Sequence, residues 1–360
     1  MWFQINNINL MKHWYITSAY SKKNGTGSDF YLDSIEFFEQ EGFNTFNTLK
    51  KGHMFMFFFE LYLLFTMPKN VKIFTTVVGF PRQLLVLNGF SNRFRFKLFT
   101  LFKRLKKWEY YIIPIDLPLK QYDFRLSQKF ISNQEAIEKI LFSSCDGFLC
   151  CGSEMSKHFK NNYPSAKIVQ FNMYDQILPK FNKVLEPNDN EIKKIAVIGN
   201  LSRMLGKLDL LPKHKNIQYH FLGPEGKIVD SYGRADFFYH GNLPELEFIT
   251  KLSSFDFGLI LYSSDVDNYF SNVIAGKFTS YVYAGLPIIC FDVYTSMSEL
   301  TNRLDIGVII KDVDDIVSIL NYDSNKVNEW KNNIIKEQIK IRDGQHYKKA
   351  VSEMLNKNVR

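Results

Sequence analysis

Lys277 and Arg203 are the charged side chains whose surroundings in the sequence could bind an anion. Lys277 lies inside SNVIAGKFTSYVYAGLPIICFD, residues 271 to 292, whose first half has the apolar pattern of a helix and whose end is typical of a buried strand. A lysine is costly to bury and usually lies at the surface. Lys277 is therefore either a surface lysine whose stem covers apolar residues or a cation that faces a bound anion.

Arg203 lies in one of several loops that follow apolar strands in the second half of the chain. GNLSR follows KKIAVI, GPEG follows IQYHFL, and YSSD follows DFGLIL. These loops contain Gly199, Asn200, Arg203, Gly223 and Tyr262. Because the carboxyl ends of parallel strands open at one edge of a sheet, we expect the two cations, the glycine N–H groups and a helix start near residue 272 to converge on an anion. Without that convergence, Arg203 would be an ordinary loop arginine in solvent.

Common catalytic and cofactor motifs are missing from the sequence. It contains no G-x-x-x-x-G-K-[ST], no G-x-G-x-x-G after a strand, no H-E-x-x-H and no G-x-S-x-G, and its seven histidines have no zinc-ligand spacing. These absences argue against P-loop, hydride-transfer, metalloprotease and α/β-hydrolase chemistry. The two D-x-D matches, at 265–267 and 312–314, fall in loop or helix-start contexts, so we expect neither a metal site nor a cofactor.

Alternating strand-like and helix-like segments predict an α/β protein. Strands are predicted at 12–17, 71–78, 110–115, 145–151 and 166–171, and again at 194–199, 217–222, 236–240, 255–261, 287–291 and 306–310. Helices are predicted at 28–41, 53–66, 92–107, 128–143 and 153–160, and again at 243–253, 272–284, 296–303, 312–320 and 325–342.

The alternation restarts after a polar linker at 180–193. We therefore predict an N-terminal Rossmann-like domain at 1–180, a C-terminal Rossmann-like domain at 190–325, and a final helix with a polar tail at 326–360 that packs back on the N-terminal domain. The two doubly wound domains are expected to face a central cleft, which is a natural ligand site.

Four motifs in the second half carry a family resemblance. GNLSR, FLGPEG, GLIL and GKFTSYVYAGLPII, in this order, resemble the nucleotide-binding half of bacterial GT-B glycosyltransferases, most of all the glucosyltransferase 3 group and its galactofuranosyltransferase-like relatives. The resemblance covers roughly residues 110–310 and implies that the domain at 190–325 binds a nucleotide sugar.

The resemblance also implies roles for individual residues. Arg203 and Lys277 match the family's contacts to the donor diphosphate, within turns formed by Gly199, Asn200 and Gly223. By the same resemblance, Tyr262 and Tyr269 are expected to lie beside the ribose or uracil of the donor nucleotide. Asn272 is the candidate for the family's donor-binding asparagine. It departs from the family pattern, because it lies five residues before Lys277 instead of four and Ala275 replaces the family's proline.

The first half would then bind the acceptor. In YYIIPIDLPLKQYDFR, Asp116 follows an apolar strand, where the family often has His-Asp and this chain has Ile115. Asp116 is our candidate general base, with a turn-capping aspartate as the equally open alternative. Gly25, Thr26 and Gly27, in the loop after the first strand, would form the acceptor side; by sequence alone they are a flexible loop.

A formal charge of +8 and a pI of about 9.0 favour anionic partners. Residues 82–108 contain eight Lys/Arg and no acidic residue. This stretch is either a basic amphipathic surface for an anionic membrane or a packed helix with a solvated basic side. It contains no nucleic-acid recognition motif, so we expect no nucleic-acid partner.

The location expected from the sequence is the cytoplasm, with a peripheral membrane contact as an option. The N-terminus lacks a signal-peptide pattern, and the apolar stretch at 54–67 is shorter than the ~20 residues of a membrane-spanning helix. Met11 is an alternative translation start, in which case residues 1–10 would be an upstream artefact. Four cysteines without a disulfide or zinc pattern fit a reducing compartment. The many aromatic residues make a homo-oligomer plausible.

Three functions from different classes remain open at this point. One is a lipid- or nucleic-acid-binding protein that uses the basic stretch, for which we expect salt-sensitive binding independent of Lys277. The other two share the GT-B fold. The first is a hexosyltransferase that moves a sugar from a nucleotide donor, expected to be UDP-linked, to a glycan on a glycoprotein, lipid carrier or surface polysaccharide. The second is a non-catalytic GT-B subunit that stabilises a partner glycosyltransferase. Nucleotide binding separates the two, because only the first requires it.

Overall fold

The structure is a computed structural model, and it describes residues 12–17, 29–47, 61–76, 89–114, 128–175, 191–263 and 267–356. The chain forms two compact units. The first contains the described residues up to Phe171 and those from Tyr347 onward, and the second contains the described residues from Asn172 to His346. The predicted linker at 180–193 lies almost entirely outside the described residues.

The first unit is built on a six-stranded parallel sheet in the order β2-β1-β3-β4-β5-β6. Its central strands β3, β4 and β5 are short, mostly apolar runs, as expected of parallel strands that helices cover on both faces. The strands are β1 His13–Thr17, β2 Asn44–Asn47, β3 Lys72–Thr76, β4 Glu109–Ile113, β5 Gly147–Cys151 and β6 Lys167–Phe171.

Aromatic rings fill much of the core of the first unit. Phe38 stacks on Tyr15 with ring centroids 4.0 Å apart and meets Phe43 edge-on at 5.0 Å. Residues 61–66 are helical, and the complete helices of this unit are Asp29–Gln40, Gly89–Lys106, Gln128–Ser143, Ser153–Asn162 and, at the C-terminal end of the chain, Gln345–Met354.

The second unit has a six-stranded parallel sheet in the order β12-β11-β10-β7-β8-β9. Its strands are β7 Lys193–Ile198, β8 Ile217–Leu222, β9 Phe237–Tyr239, β10 Phe257–Leu259, β11 Ile288–Phe291 and β12 Gly307–Ile310. This order is that of a doubly wound nucleotide-binding fold, in which the strand order reverses between the first and fourth strands while all strands stay parallel. Here that switch point lies between β7 and β10, and ligands of such sheets bind at the carboxyl ends of the strands there.

Helices and 3-10 segments connect or follow the strands of the second unit. The helices are Lys227–Ser231, Glu245–Leu252, Asp267–Phe270, Gly276–Ala284, Thr295–Leu304 and Ser324–Arg342, and the 3-10 segments are Leu201–Met204 and Val313–Asn321. Asp312 forms a capping box at the start of the second 3-10 segment, which explains the D-x-D match at 312–314.

The structure corrects two predicted elements. The helix expected to start near residue 272 begins at Gly276, because Ala275 is still extended and forms its N-cap. The polar tail expected after Arg342 is instead the helix Gln345–Met354. Its buried apolar residues recur at helical spacing on one face: Tyr347, Ala350, Val351 and Met354.

Candidate functional site

Two glycine turns at the ends of β7 and β8 shape one side of the switch point. Gly199 and Gly223 have φ values of +110° and +144°, which L side chains rarely adopt. The Gly199 N–H donates to Leu222 O at 3.0 Å, and a Cβ on Gly223 would overlap Gly199 O. The two backbones therefore touch, and only glycine allows this approach.

Tyr281 fixes the helix Gly276–Ala284 to the switch point. Its buried hydroxyl accepts from the Ile198 N–H at 3.1 Å and lies 2.9 Å from Leu259 O, so it bridges the ends of β7 and β10. Its ring lies directly over Gly258, where any Cβ would overlap it. The backbone N–H of Ile198, at the end of β7, is therefore hydrogen-bonded to a side chain of this helix and not to a neighbouring strand.

Lys277 precedes Tyr281 by four residues and therefore lies on the same face of the helix, one turn closer to its start. Its ammonium donates to Leu261 O at 3.1 Å and lies 3.8 Å from the centroid of the Tyr262 ring. A Cβ built on Gly199 would lie 3.8 Å from the Lys277 Nζ, so the cation lies at the switch point between the β7 and β10 turns.

Two causes lower the pKa of Lys277 from its ordinary value of 10.5 to about 7. The larger cause is burial, which disfavours the charged form, and the second is the positive charge of Arg203. Lys277 is also the second residue of its helix, where the helix dipole disfavours a cation. The protein therefore places a lysine where its charge is costly, and a bound anion would remove that cost.

Arg203 and Asn200 lie in the turn after β7. The Asn200 side chain accepts from the Ser202 N–H at 3.0 Å and caps the 3-10 segment that carries Arg203. The Arg203 carbonyl accepts from the Ser263 N–H at 2.7 Å, which connects the β7 turn to the loop after β10. The exposed Arg203 side chain is close enough to Lys277 to affect its pKa.

Tyr262 forms an aromatic wall under the Lys277 ammonium. Its ring stacks on Phe270 with centroids 3.4 Å apart, and its N–H donates to the Tyr294 hydroxyl at 3.1 Å. Tyr269 packs edge-on against Phe270 at 4.7 Å, and Asn272 donates to Ser271 Oγ at 3.0 Å in the loop before the helix. The structure thus brings Gly199, Arg203, Gly223, Tyr262 and Lys277 to one edge, with Asn200 and Asn272 in the loops beside it.

Two further charged residues at this edge were not predicted from the sequence. The Lys207 ammonium lies 5.3 Å from the Phe291 ring at the end of β11 and 5.9 Å from the Tyr294 ring. The carboxylate of Glu225 accepts from the Ser202 N–H at 2.8 Å, so that N–H is already used. The signal for Lys207 was its position in GNLSRMLGKL, in the same loop as Arg203.

The residues predicted for the first half lie outside the described part of the chain. These are Asp116 and the acceptor-loop residues Gly25, Thr26 and Gly27. Within the described residues, no group of three or more His, Cys, Asp or Glu side chains could hold a metal ion. All four cysteines are free and buried, and they lie in or beside strands.

The two parallel doubly wound sheets define the GT-B class of folds, as predicted. Residues 195–354 match the family described as "Glucosyltransferase 3-like, C-terminal domain". This match confirms the predicted resemblance to the glucosyltransferase 3 group, for a region that includes Lys277, Arg203 and both glycine turns. No curated protein matches the chain.

Solved structures support the fold. The chain is similar to a sucrose-phosphate synthase from Thermosynechococcus elongatus, with 12% identity and a TM-score of 0.56 over 83% of this chain and 78% of that one. It is also similar to the Anabaena HepE protein, solved in complex with UDP, with 9% identity and a TM-score of 0.60 over 96% of this chain and 100% of that one. At these identities the likeness establishes the GT-B fold alone.

Proposed function

We propose that the protein is a hexosyltransferase that binds a UDP-sugar at the switch point of its second unit and transfers the sugar to a glycan acceptor. The observation that carries the proposal is the Lys277 ammonium, positioned between the β7 and β10 turns with a pKa lowered to about 7 by burial and Arg203. Cations and glycine N–H groups at the carboxyl ends of the strands are the groups that bind a diphosphate.

The proposed chemistry follows from the charges that glycosyl transfer develops. As the bond to the sugar breaks, negative charge accumulates on the departing nucleoside diphosphate. Lys277 and Arg203, held in a fixed arrangement, would stabilise that charge more in the transition state than in the ground state. Lys207 would add a third positive charge at the end of β11. Asp116 stays our proposed base for the acceptor hydroxyl, on sequence grounds alone.

UDP is the proposed nucleotide because of the family resemblance and because the structurally similar Anabaena HepE protein was solved with UDP. The proposed acceptor is a glycan carried by a protein, a lipid or a surface polysaccharide. A screen of UDP-sugars against glycan acceptors of these three kinds, with release of UDP as the readout, identifies the sugar and the acceptor.

Calorimetric titration with UDP tests the donor site. We expect Lys277→Ala to weaken UDP binding at least about tenfold, or 1.4 kcal/mol. Lys215→Ala is the matched control, because Lys215 is an exposed lysine of the same unit, and we expect it to bind like the wild type. If wild-type protein binds neither UDP nor GDP, the hexosyltransferase proposal fails and the non-catalytic GT-B subunit becomes the better account.

A further inference from the structure

The helix Gly89–Lys106 has an apolar face that points away from the core of the first unit. Phe94, Leu101 and Leu105 are 57%, 51% and 63% exposed, and with the half-buried Leu98 they recur at the spacing of one helix face. We call these residues, together with Phe65, the outward stripe. Phe65 is 67% exposed and packs edge-on against Phe102 of the same helix, with centroids 4.9 Å apart.

The opposite face of this helix attaches it to the unit. Phe99 is buried and meets the Tyr110 ring at 4.8 Å, and Lys103 forms an ion pair with Asp146 at 2.8 Å. The Lys106 ammonium donates to the carbonyls of Phe65 and Met67 at 2.8 and 2.6 Å. These contacts leave the outward stripe at the surface and fix Phe65 beside it.

Positive charge flanks the outward stripe. Lys97 and Arg104 are exposed and lie on one side of the stripe at helical spacing, and Lys69 and Lys107 are exposed near its C-terminal end. The sequence contains no Asp or Glu from Leu61 to Trp108. An exposed apolar face bordered only by cations of its own segment matches the surface of an anionic membrane, where the apolar residues enter the interface and the cations meet lipid phosphates.

A second copy of the chain fits this face less well. Pairing two copies through the outward stripe would bring Lys97 and Arg104 of both copies together, and the segment supplies no acidic residue to compensate. No helix in the described part of the chain is long and apolar enough to cross a membrane. We propose that the outward stripe, with Lys97 and Arg104, docks the first unit on an anionic membrane surface. This inference does not depend on the donor site.

Vesicle co-sedimentation of the full-length protein tests the proposal. We expect binding to phosphatidylcholine vesicles with about 30 mol % phosphatidylglycerol, and much weaker binding to phosphatidylcholine alone. The double variant Lys97→Gln/Arg104→Gln should lower the partition coefficient about thirtyfold, from about 1 kcal/mol for each lost charge. The variant Leu101→Asn/Leu105→Asn should lower it at least about tenfold through the lost apolar contact.

Matched variants in other parts of the chain control for composition. Leu210→Asn/Leu246→Asn removes two leucines of similar exposure, and Lys160→Gln/Lys336→Gln removes two exposed lysines. Both should bind vesicles like the wild type. Because every substituted residue is exposed, all four variants should keep the thermal unfolding midpoint of the wild type, which separates lost docking from lost folding.

Three results would overturn the proposal. The first is that Leu101→Asn/Leu105→Asn binds vesicles as tightly as the wild type. The second is that the control variants lose as much binding as the test variants. The third is that the wild type does not bind anionic vesicles and behaves in one of two other ways. It forms an oligomer that the Leu101→Asn/Leu105→Asn substitutions dissociate, or it binds RNA and only Lys97→Gln/Arg104→Gln weakens that binding.

Discussion

Raising the pH from 6 to 8 should weaken binding of UDP-glucose about tenfold, because the Lys277 ammonium must be protonated to contact the diphosphate. With a pKa of about 7, the free protein carries the proton on about nine-tenths of its molecules at pH 6 and on about one-tenth at pH 8. A diphosphate charge about 4 Å away contributes about 4 kcal/mol at an effective dielectric constant near 20, which raises the pKa of Lys277 by about three units. The complex therefore stays protonated at pH 8.

Calorimetry in buffers of different ionisation enthalpy measures this coupling directly. Binding of UDP-glucose should take up about 0.9 proton at pH 8 and about 0.1 proton at pH 6. UDP-glucose is preferred to UDP because its diphosphate has no ionisation in this range. The matched variant is Lys277→Arg, whose guanidinium stays charged at both pH values, so its proton uptake should be close to zero.

The reasoning is wrong if the affinity of the wild type does not change between pH 6 and pH 8. It is also wrong if Lys277→Arg keeps the full proton uptake, because another group would then be the one that titrates. Histidines of the second unit contribute equally to both proteins, so the difference between wild type and variant isolates Lys277.

Two further predictions concern the second unit. Gly223→Ala should lower the free energy of unfolding in urea by about 2–5 kcal/mol, because the φ of +144° and the contact with the Gly199 backbone both exclude a Cβ. The control Gly233→Ala, at φ +55° with no atom within 4 Å of its Cβ, should lower it by only about 1 kcal/mol. Equal losses in the two variants would contradict the close approach of the Gly199 and Gly223 backbones. Burial and the charge of His240 lower the pKa of His220 to about 3, so the unfolded state binds the proton first and stability falls below pH 6.5. Between pH 7 and 5 this loss should be about 2 kcal/mol, and His220→Phe should remove it; an unchanged slope in the variant would exclude His220 as the cause.

Hydrophobic patterning was enough to predict most of the fold. β11 is an uninterrupted apolar run, and β7 ends in the apolar run Ile195–Ile198; such runs between polar loops are typical of buried parallel strands. β2, Asn44–Asn47, has only one apolar residue in four and was missed, since its place at the sheet edge comes from pairing with β1. The helix Gln345–Met354 was missed because its polar composition concealed four apolar residues at helical spacing.

The candidate site could be predicted only in part. Arg203 was identified because it follows a strand and a glycine turn, and Lys277 because it is a charge inside an apolar helix pattern; both are local properties of the sequence. Two features depend on tertiary contacts and could not be predicted: the Tyr281 hydroxyl between β7 and β10, and the Tyr262 ring under the ammonium. The apolar spacing predicted a helix start near residue 272, but Ala275 is extended, so the observed helix begins at Gly276.

A crystal structure of the protein with bound UDP tests the central claim most directly. The account predicts the diphosphate at the ends of β7 and β10, with the Lys277 Nζ about 2.7–2.9 Å from a phosphate oxygen and Arg203 turned toward the same group. A diphosphate bound elsewhere, with the Lys277 ammonium still on Leu261 O, would contradict it.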